Sequence, residues 1–258
     1  MKTLKGYTKQ PLGFTRKMVI ASIAGNKKNA IHCVTKIDVT RARIFHKEHL
    51  NKTGEKLSFT GFIIKCFAQT IEEFPEMNSF IRRNKLVLLE DINISVLVER
   101  EIDGKKVPEP LGLKKVQGKS VKQISDEIRE AQNNSGNEIG NLTGSTWINL
   151  IPGFLLKTFI RIADRNIKMA IRYGKIAVTA VGMFSNSASW FIPHGTATVL
   201  LTIGSITKEN FLSEDGSVES KEMLHLTASF DHEIIDGAPA ARFMARFEEI
   251  LSMSQLAN

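Results

Sequence analysis

Apolar residues Phe59, Phe62, Ile63, Cys66, Phe67, Ile71 and Phe74 recur at three- and four-residue intervals. That spacing predicts a helix with one buried face over 58–73, and Pro75 closes it. Ser120 followed by Gln123 has the capping-box pattern, ahead of a stripe formed by Val121, Ile124, Ile128 and Ala131. The polar stretch 133–136 ends this second helix. A third is predicted where Ala240, Phe243, Met244, Phe247, Ile250 and Leu251 share one face. Short β-branched runs at 94–98, 176–181 and 198–203 read as strands. Over 224–231, Leu224, Leu226, Ala228 and Phe230 alternate with His225, Thr227, Ser229 and Asp231, the period of a half-buried strand. No repeat, low-complexity tract or Pro/Gly/Ser-rich linker divides the pattern. A single α/β domain over 1–258 is expected.

Composition narrows the class. With 258 residues, 42% hydrophobic and 24% charged, the chain has ordinary globular proportions, which exclude collagenous, disordered and disulfide-stapled proteins. Its two cysteines, Cys33 and Cys66, lie in apolar runs and suit a reducing compartment, so a cytoplasmic location is expected. No apolar run approaches the ~20 residues of a membrane span, and the short apolar stretch 18–24 falls short of a signal peptide. The net charge of +8 is concentrated. Lys157, Arg161, Arg165, Lys168, Arg172 and Lys175, against Asp164 alone, carry five of those charges within 152–175. The favoured reading is a single structural helix in a subunit contact; the alternative is a basic amphipathic helix that rests on a membrane or covers the substrate channel. Nucleic acid is not an expected partner, because no recognition motif accompanies the charge.

The candidate chemistry lies between the last predicted strand and helix, in Asp231-His232-Glu233-Ile234-Ile235-Asp236-Gly237. A histidine at a strand end, held between rigid elements, can take and return a proton near neutral pH. The plainer alternative makes Asp236 a helix cap and His232 a turn residue. His46 and His49 stand one helical turn apart, but no further ligand pattern accompanies them, so no metal is expected. His32 and Cys33, adjacent on a strand, point to opposite faces. His194, after Pro193, has no assigned role.

Several segments in order resemble the acyltransferase catalytic domain of 2-oxoacid dehydrogenase complexes, the dihydrolipoyl acyltransferases. The segment from Pro11-Leu12-Gly13 to Arg16-Lys17 is similar to that family's opening Pro-Leu-x-x-x-Arg-Lys. His32 with Lys36-Ile37-Asp38-Val39-Thr40 resembles its first core strand, and Phe74-Pro75-Glu76-Met77-Asn78 its Pro-x-x-Asn turn. Thr179-Ala180-Val181-Gly182-Met183-Phe184 is similar to Ser-Asn-Leu-Gly-Met-Phe, and Asp231 to Phe243 follows Asp-His-Arg-x-x-Asp-Gly-Ala-x-x-Ala-x-Phe. Glu233 stands at the family's arginine.

The resemblance implies a chloramphenicol acetyltransferase-like fold, a mixed β-sheet flanked by helices, assembled as a homotrimer or as larger sets of trimers. It implies transfer of an acyl group between coenzyme A and a thiol, hydroxyl or amine acceptor, dihydrolipoamide among the candidates. His232 takes the general-base position and Thr179 the oxyanion-donor position. Asp236 with Arg16 takes the ion pair that steadies the histidine loop, and Gly237 supports the site. Coenzyme A or acyl-CoA is then a substrate, with no metal and no covalently bound lipoate. No lipoyl domain and no peripheral subunit-binding domain are expected in 1–258. The alternative is a non-catalytic oligomeric core or CoA-binding protein with the same fold.

Overall fold

A computed structural model of the chain describes residue 12 and residues 14–25, 28–102, 105–133, 153–185, 187–213 and 215–253. It begins with α1 (Phe14–Gly25), β1 (Ala30–Asp38), α2 (Thr40–Thr53) and α3 (Phe59–Glu73). A short hairpin, β2 (Ser79–Arg82) and β3 (Lys85–Leu88), precedes β4 (Ile94–Ile102), β5 (Lys105–Leu113) and α4 (Val121–Asn133). Then come α5 (Gly153–Asp164), α6 (Ile167–Tyr173) and β6 (Ile176–Ala180). The long strands β7 (Val199–Leu212) and β8 (Val218–Asp231) and the final helix α7 (Gly237–Met253) complete it. Of the segments singled out above, Pro11, Gly13, 134–136, 151 and 152 lie outside the described residues.

Six strands form one mixed sheet in the order β1-β8-β7-β6-β4-β5. β6 runs parallel to both β4 and β7, and the other pairings are antiparallel. β5 is an edge strand, and its partner positions Leu97↔Pro110 and Glu99↔Pro108 explain how two prolines fit in it. An edge leaves alternate N–H groups without a ladder partner, so their loss is tolerated there.

Helices α2, α3, α4 and α7 share a continuous core with the sheet. Helices α3 and α4 are both capped by side chains, the second as its capping-box pattern predicts. Ser58 accepts from the Gly61 N–H at 3.2 Å. Ser120 and Gln123 exchange reciprocal bonds, Ser120 N to Gln123 Oε1 at 2.9 Å and Gln123 N to Ser120 Oγ at 3.2 Å. Phe243 of α7 meets Phe67, Phe74 and Phe230 edge-on, with centroids 5.5 to 5.8 Å apart. Each such pair adds about 0.5–1.5 kcal/mol beyond area burial. Phe230 lies two residues before His232, so this cluster locks the strand and the helix on either side of the candidate site.

Two sequence expectations need correction. The single helix over 152–175 is two helices, broken at Arg165-Asn166. Asn166 ends the first by capping the second, its Oδ1 accepting from Lys168 N at 2.9 Å and Met169 N at 3.3 Å. The strand expected at 198–203 continues to Leu212, and its partner begins at Val218. The register shifts between Ile203 and Ile206, where Gly204 and Ser205 make a bulge. There the backbones approach so closely that a Cβ on Gly182 would lie 1.7 Å from the Gly204 carbonyl oxygen. That contact explains the glycine in Val181-Gly182-Met183-Phe184.

Candidate active site

The site is built where β8 ends. Asp231 is 4% exposed, and its backbone closes the sheet by donating to Thr198 O at 2.9 Å. Its carbonyl accepts from both Ile234 N and Ile235 N, which curls residues 232–234 into a tight turn. One carboxylate oxygen accepts from Glu233 N at 3.2 Å, and the other pairs with Lys28 Nζ at 2.7 Å. His232 donates its backbone N–H to Asn29 O at 2.8 Å, so the start of β1 pins the same turn. The imidazole is left facing outward, 44% exposed. Its Nδ1 lies 3.6 Å from Asp236 Oδ1, close enough to bias the orientation of the ring. No hydrogen bond engages Nε2 among the described residues.

Asp236 stands at the entrance to α7. Its carbonyl receives Ala240 N–H at 3.1 Å at the start of α7, while its carboxylate, 84% exposed, faces His232. The expected partner is absent: among the described residues no ion pair or hydrogen bond joins Asp236 to Arg16. Arg16 is exposed on α1, a helix that packs on α5. Gly237 has open space around it, since a Cβ there would meet nothing within 4 Å of this protomer.

Thr179 is buried on β6 and lines a largely apolar cavity of about 500 Å³ with Leu97, Ile160 and His194. The ladders fix its distance from His232. Thr179 pairs with Thr202, and Thr202 with Thr227, while His232 lies five residues further along β8. At ~3.3 Å per residue and ~4.8 Å per strand, the two are roughly 15–20 Å apart within one protomer. That is several times the reach of a hydrogen bond.

Residues outside the sequence motifs surround this framework. Lys175 is 6% exposed, paired with Asp164 Oδ1 at 2.7 Å, and stacked over Phe80 at 5.1 Å. Burial pushes the Lys175 ammonium below its ordinary range, with Asp164 opposing the shift and Lys28 adding to it. A cavity of about 580 Å³ shares Lys175 and Asp164 with the Thr179 cavity. It also shares Lys28 and Asp231 with a third, of about 530 Å³, that holds His32 and His194. His32 Nδ1 is 2.8 Å from Ser229 Oγ. Lys28 carries no periodic or motif signal of its own, and the pairings of Asp231 with Lys28 and of Lys175 with Asp164 are revealed only by the fold.

The remaining histidines diverge. His46 Nε2 meets Leu57 O at 2.8 Å and stands edge-on to Phe59, whereas His49 Nε2 lies 3.3 Å from Glu55 Oε2. No group of three or more His, Cys, Asp or Glu suited to a metal occurs among the described residues. Among them, too, no helix is long and apolar enough to cross a membrane.

A mixed sheet with helices packed in this way, and a histidine at the end of the strand beside its edge strand, defines a chloramphenicol acetyltransferase-like fold. Chloramphenicol acetyltransferase superposes with a TM-score of 0.50 at 15% identity, covering 95% of this chain and all of the other. The cubic core of the pyruvate dehydrogenase multienzyme complex superposes with a TM-score of 0.70 at 17% identity, covering 98% of this chain and 96% of the other. The sequence model of 2-oxoacid dehydrogenases acyltransferase (catalytic domain) matches residues 5–143 and 164–257, and the chain belongs to that family. One curated relative is the lipoamide acyltransferase component of the branched-chain alpha-keto acid dehydrogenase complex of Bacillus subtilis (strain 168). It is 27% identical over 247 residues, which cover 93% of this chain and 51% of the relative. The chain thus spans about half the length of that relative.

Proposed function

We propose that the chain is an acyltransferase unit that moves an acyl group between coenzyme A and a thiol, hydroxyl or amine acceptor, with dihydrolipoamide as the first acceptor to test. One observation carries the reading: an outward-facing His232 on a turn that Asp231, Asn29 and α7 hold from three sides. His232 Nε2 takes the acceptor proton as the acceptor attacks the thioester carbonyl. The tetrahedral oxyanion is stabilised by a hydroxyl donor. Collapse breaks the bond to the coenzyme A sulfur, and the imidazolium returns its proton to that thiolate. No acyl-enzyme forms.

The hydroxyl donor in this reading is Thr179 of a neighbouring copy, because the ladder separation keeps the protomer's own Thr179 out of reach. The site therefore needs a homotrimer or a larger assembly of trimers, with coenzyme A and acceptor entering between subunits. Exposed apolar side chains at Met183, Phe184, Phe191 and Ile192, on the segment after β6, support such a contact.

The test is thiol release from acyl-CoA in the presence of dihydrolipoamide. His232→Ala should lower kcat by about 10²–10⁴-fold, the range of general-base catalysis. Thr179→Val should lower it by about 10²–10³-fold while Thr179→Ser retains most activity. Undiminished turnover in His232→Ala refutes the mechanism. Coenzyme A binding without turnover across a broad acceptor panel would favour the non-catalytic core instead.

A further inference from the structure

The cavity of about 580 Å³ beside the His232 turn is bounded by α5, by the β2–β3 connection and by Asp231 and Glu233. Six cations line it: Lys28, Arg83, Lys157, Arg161, Arg165 and Lys175. Two are already matched, Lys28 by Asp231 and Lys175 by Asp164. The other four make no ion pair among the described residues, and Glu233 is the one lining carboxylate left against them. All four are exposed to solvent but converge on one concavity, so their fields add there and favour a counter-anion.

Two features show that the cluster is built rather than incidental. Lys157 and Arg161 stand one turn apart on α5, within 144–163, the stretch that the family match omits. Arg83 occupies the two-residue hairpin turn closed by the pair Arg82↔Lys85, at φ 48°, followed by Asn84 at φ 59°. Such turns favour Asn and Gly. An arginine in the left-handed region is strained, and here it places a guanidinium at the cavity wall.

We propose that this cavity binds a small molecule carrying clustered phosphoryl groups, clamped by Arg83, Lys157, Arg161 and Arg165. Guanidinium groups match phosphoryl oxygens bidentately, and several negative charges at short spacing are needed to balance four cations against one carboxylate. The volume suits a small ligand, and walls on three sides favour one over a polymer lying on an open surface. Two sources share this chemistry: the phosphorylated end of an acyl-CoA donor, which rests on the function proposed above, and a free phosphorylated effector, which does not.

The experiment is calorimetric titration of the assembled protein with adenosine 3′,5′-bisphosphate and, separately, with inorganic pyrophosphate at fixed salt. The Lys157→Gln/Arg161→Gln double variant should weaken binding of at least one probe by about 10- to 100-fold. Arg83→Gln, on a different element, should weaken it in the same direction if α5 does not tolerate the double change. Lys47→Gln/Lys52→Gln removes the same net charge from exposed positions on α2, beyond the far end of β1, and should leave affinity within about twofold. A matching rise in KM for acyl-CoA with kcat unchanged identifies the donor as the source; an unchanged KM identifies a free effector. His232→Ala should bind both probes as the wild type does, so loss of chemistry and loss of the clamp are read separately. The proposal is overturned if neither probe binds the wild type, if the double variant and Arg83→Gln both bind as tightly as the wild type, or if the α2 control weakens binding equally.

Discussion

Asp231→Asn preserves the shape of a nearly inaccessible side chain but removes the charge facing Lys28 Nζ at 2.7 Å. The amide oxygen can still accept the Glu233 N–H, so the turn keeps one of its two side-chain ties. Lys28, 18% exposed, is then left in a cavity it shares with the buried Lys175. Stranding one member of a buried pair costs about 3–5 kcal/mol; partial access of Lys28 to water reduces the expectation to about 2–3 kcal/mol. At roughly 2–4 °C per kcal/mol for a chain of this size, Tm should fall by about 4–12 °C. Thermal unfolding of Asp231→Asn, Lys28→Met and the double variant forms a cycle, and a coupling of at least about 1 kcal/mol is expected. Turnover should fall more steeply than stability, because a displacement near 1 Å at a catalytic group can cost about 100-fold. Additivity of the two changes within about 0.5 kcal/mol would refute the claim that this pair holds the His232 turn.

Lys175→Met addresses the neighbouring buried cation. Burial lowers the Lys175 pKa from 10.5 in the folded chain, so the unfolded chain keeps this proton to higher pH. Its contribution therefore makes stability rise with pH in the interval below about 10.5 and level off above it. Scans from about pH 8 upward should show that rise diminished in the variant, and equal slopes would refute the assignment. Asn166→Ala removes the cap that starts α6 and should cost about 1 kcal/mol, read as a Tm lower by about 2–4 °C; an unchanged Tm would count against the cap.

What could be read from residues alone follows from how local each signal is. The Ser120/Gln123 box and the stripes of α3 and α7 depend on neighbours within a turn or two, and their helices stand where expected. The β2–β3 hairpin was invisible because Arg83-Asn84 replaces the usual Asn-Gly signal, and β5 was hidden by Pro108 and Pro110. The polar half of β7, from Lys208 to Leu212, is specified by pairing with β8 rather than by an alternation of its own. At the site, His232 and Asp236 were conspicuous in their turn. Lys28 gave no sign, since its partner lies some two hundred positions away and only the β1–β8 pairing unites them.

That pairing also sets an order of events during synthesis. The bond between His32 and Ser229 spans 197 residues. At roughly 5–20 residues per second, β1 leaves the ribosome about 10–40 s before the strand that will cover its inner edge. In that interval its ladder groups stand open to any passing extended chain. The Asn29 carbonyl that will tether His232 is likewise made early and waits. The His232 turn is therefore among the last parts of the nascent chain to become ordered, and a product arrested before β8 presents an exposed sheet edge without that turn beside it.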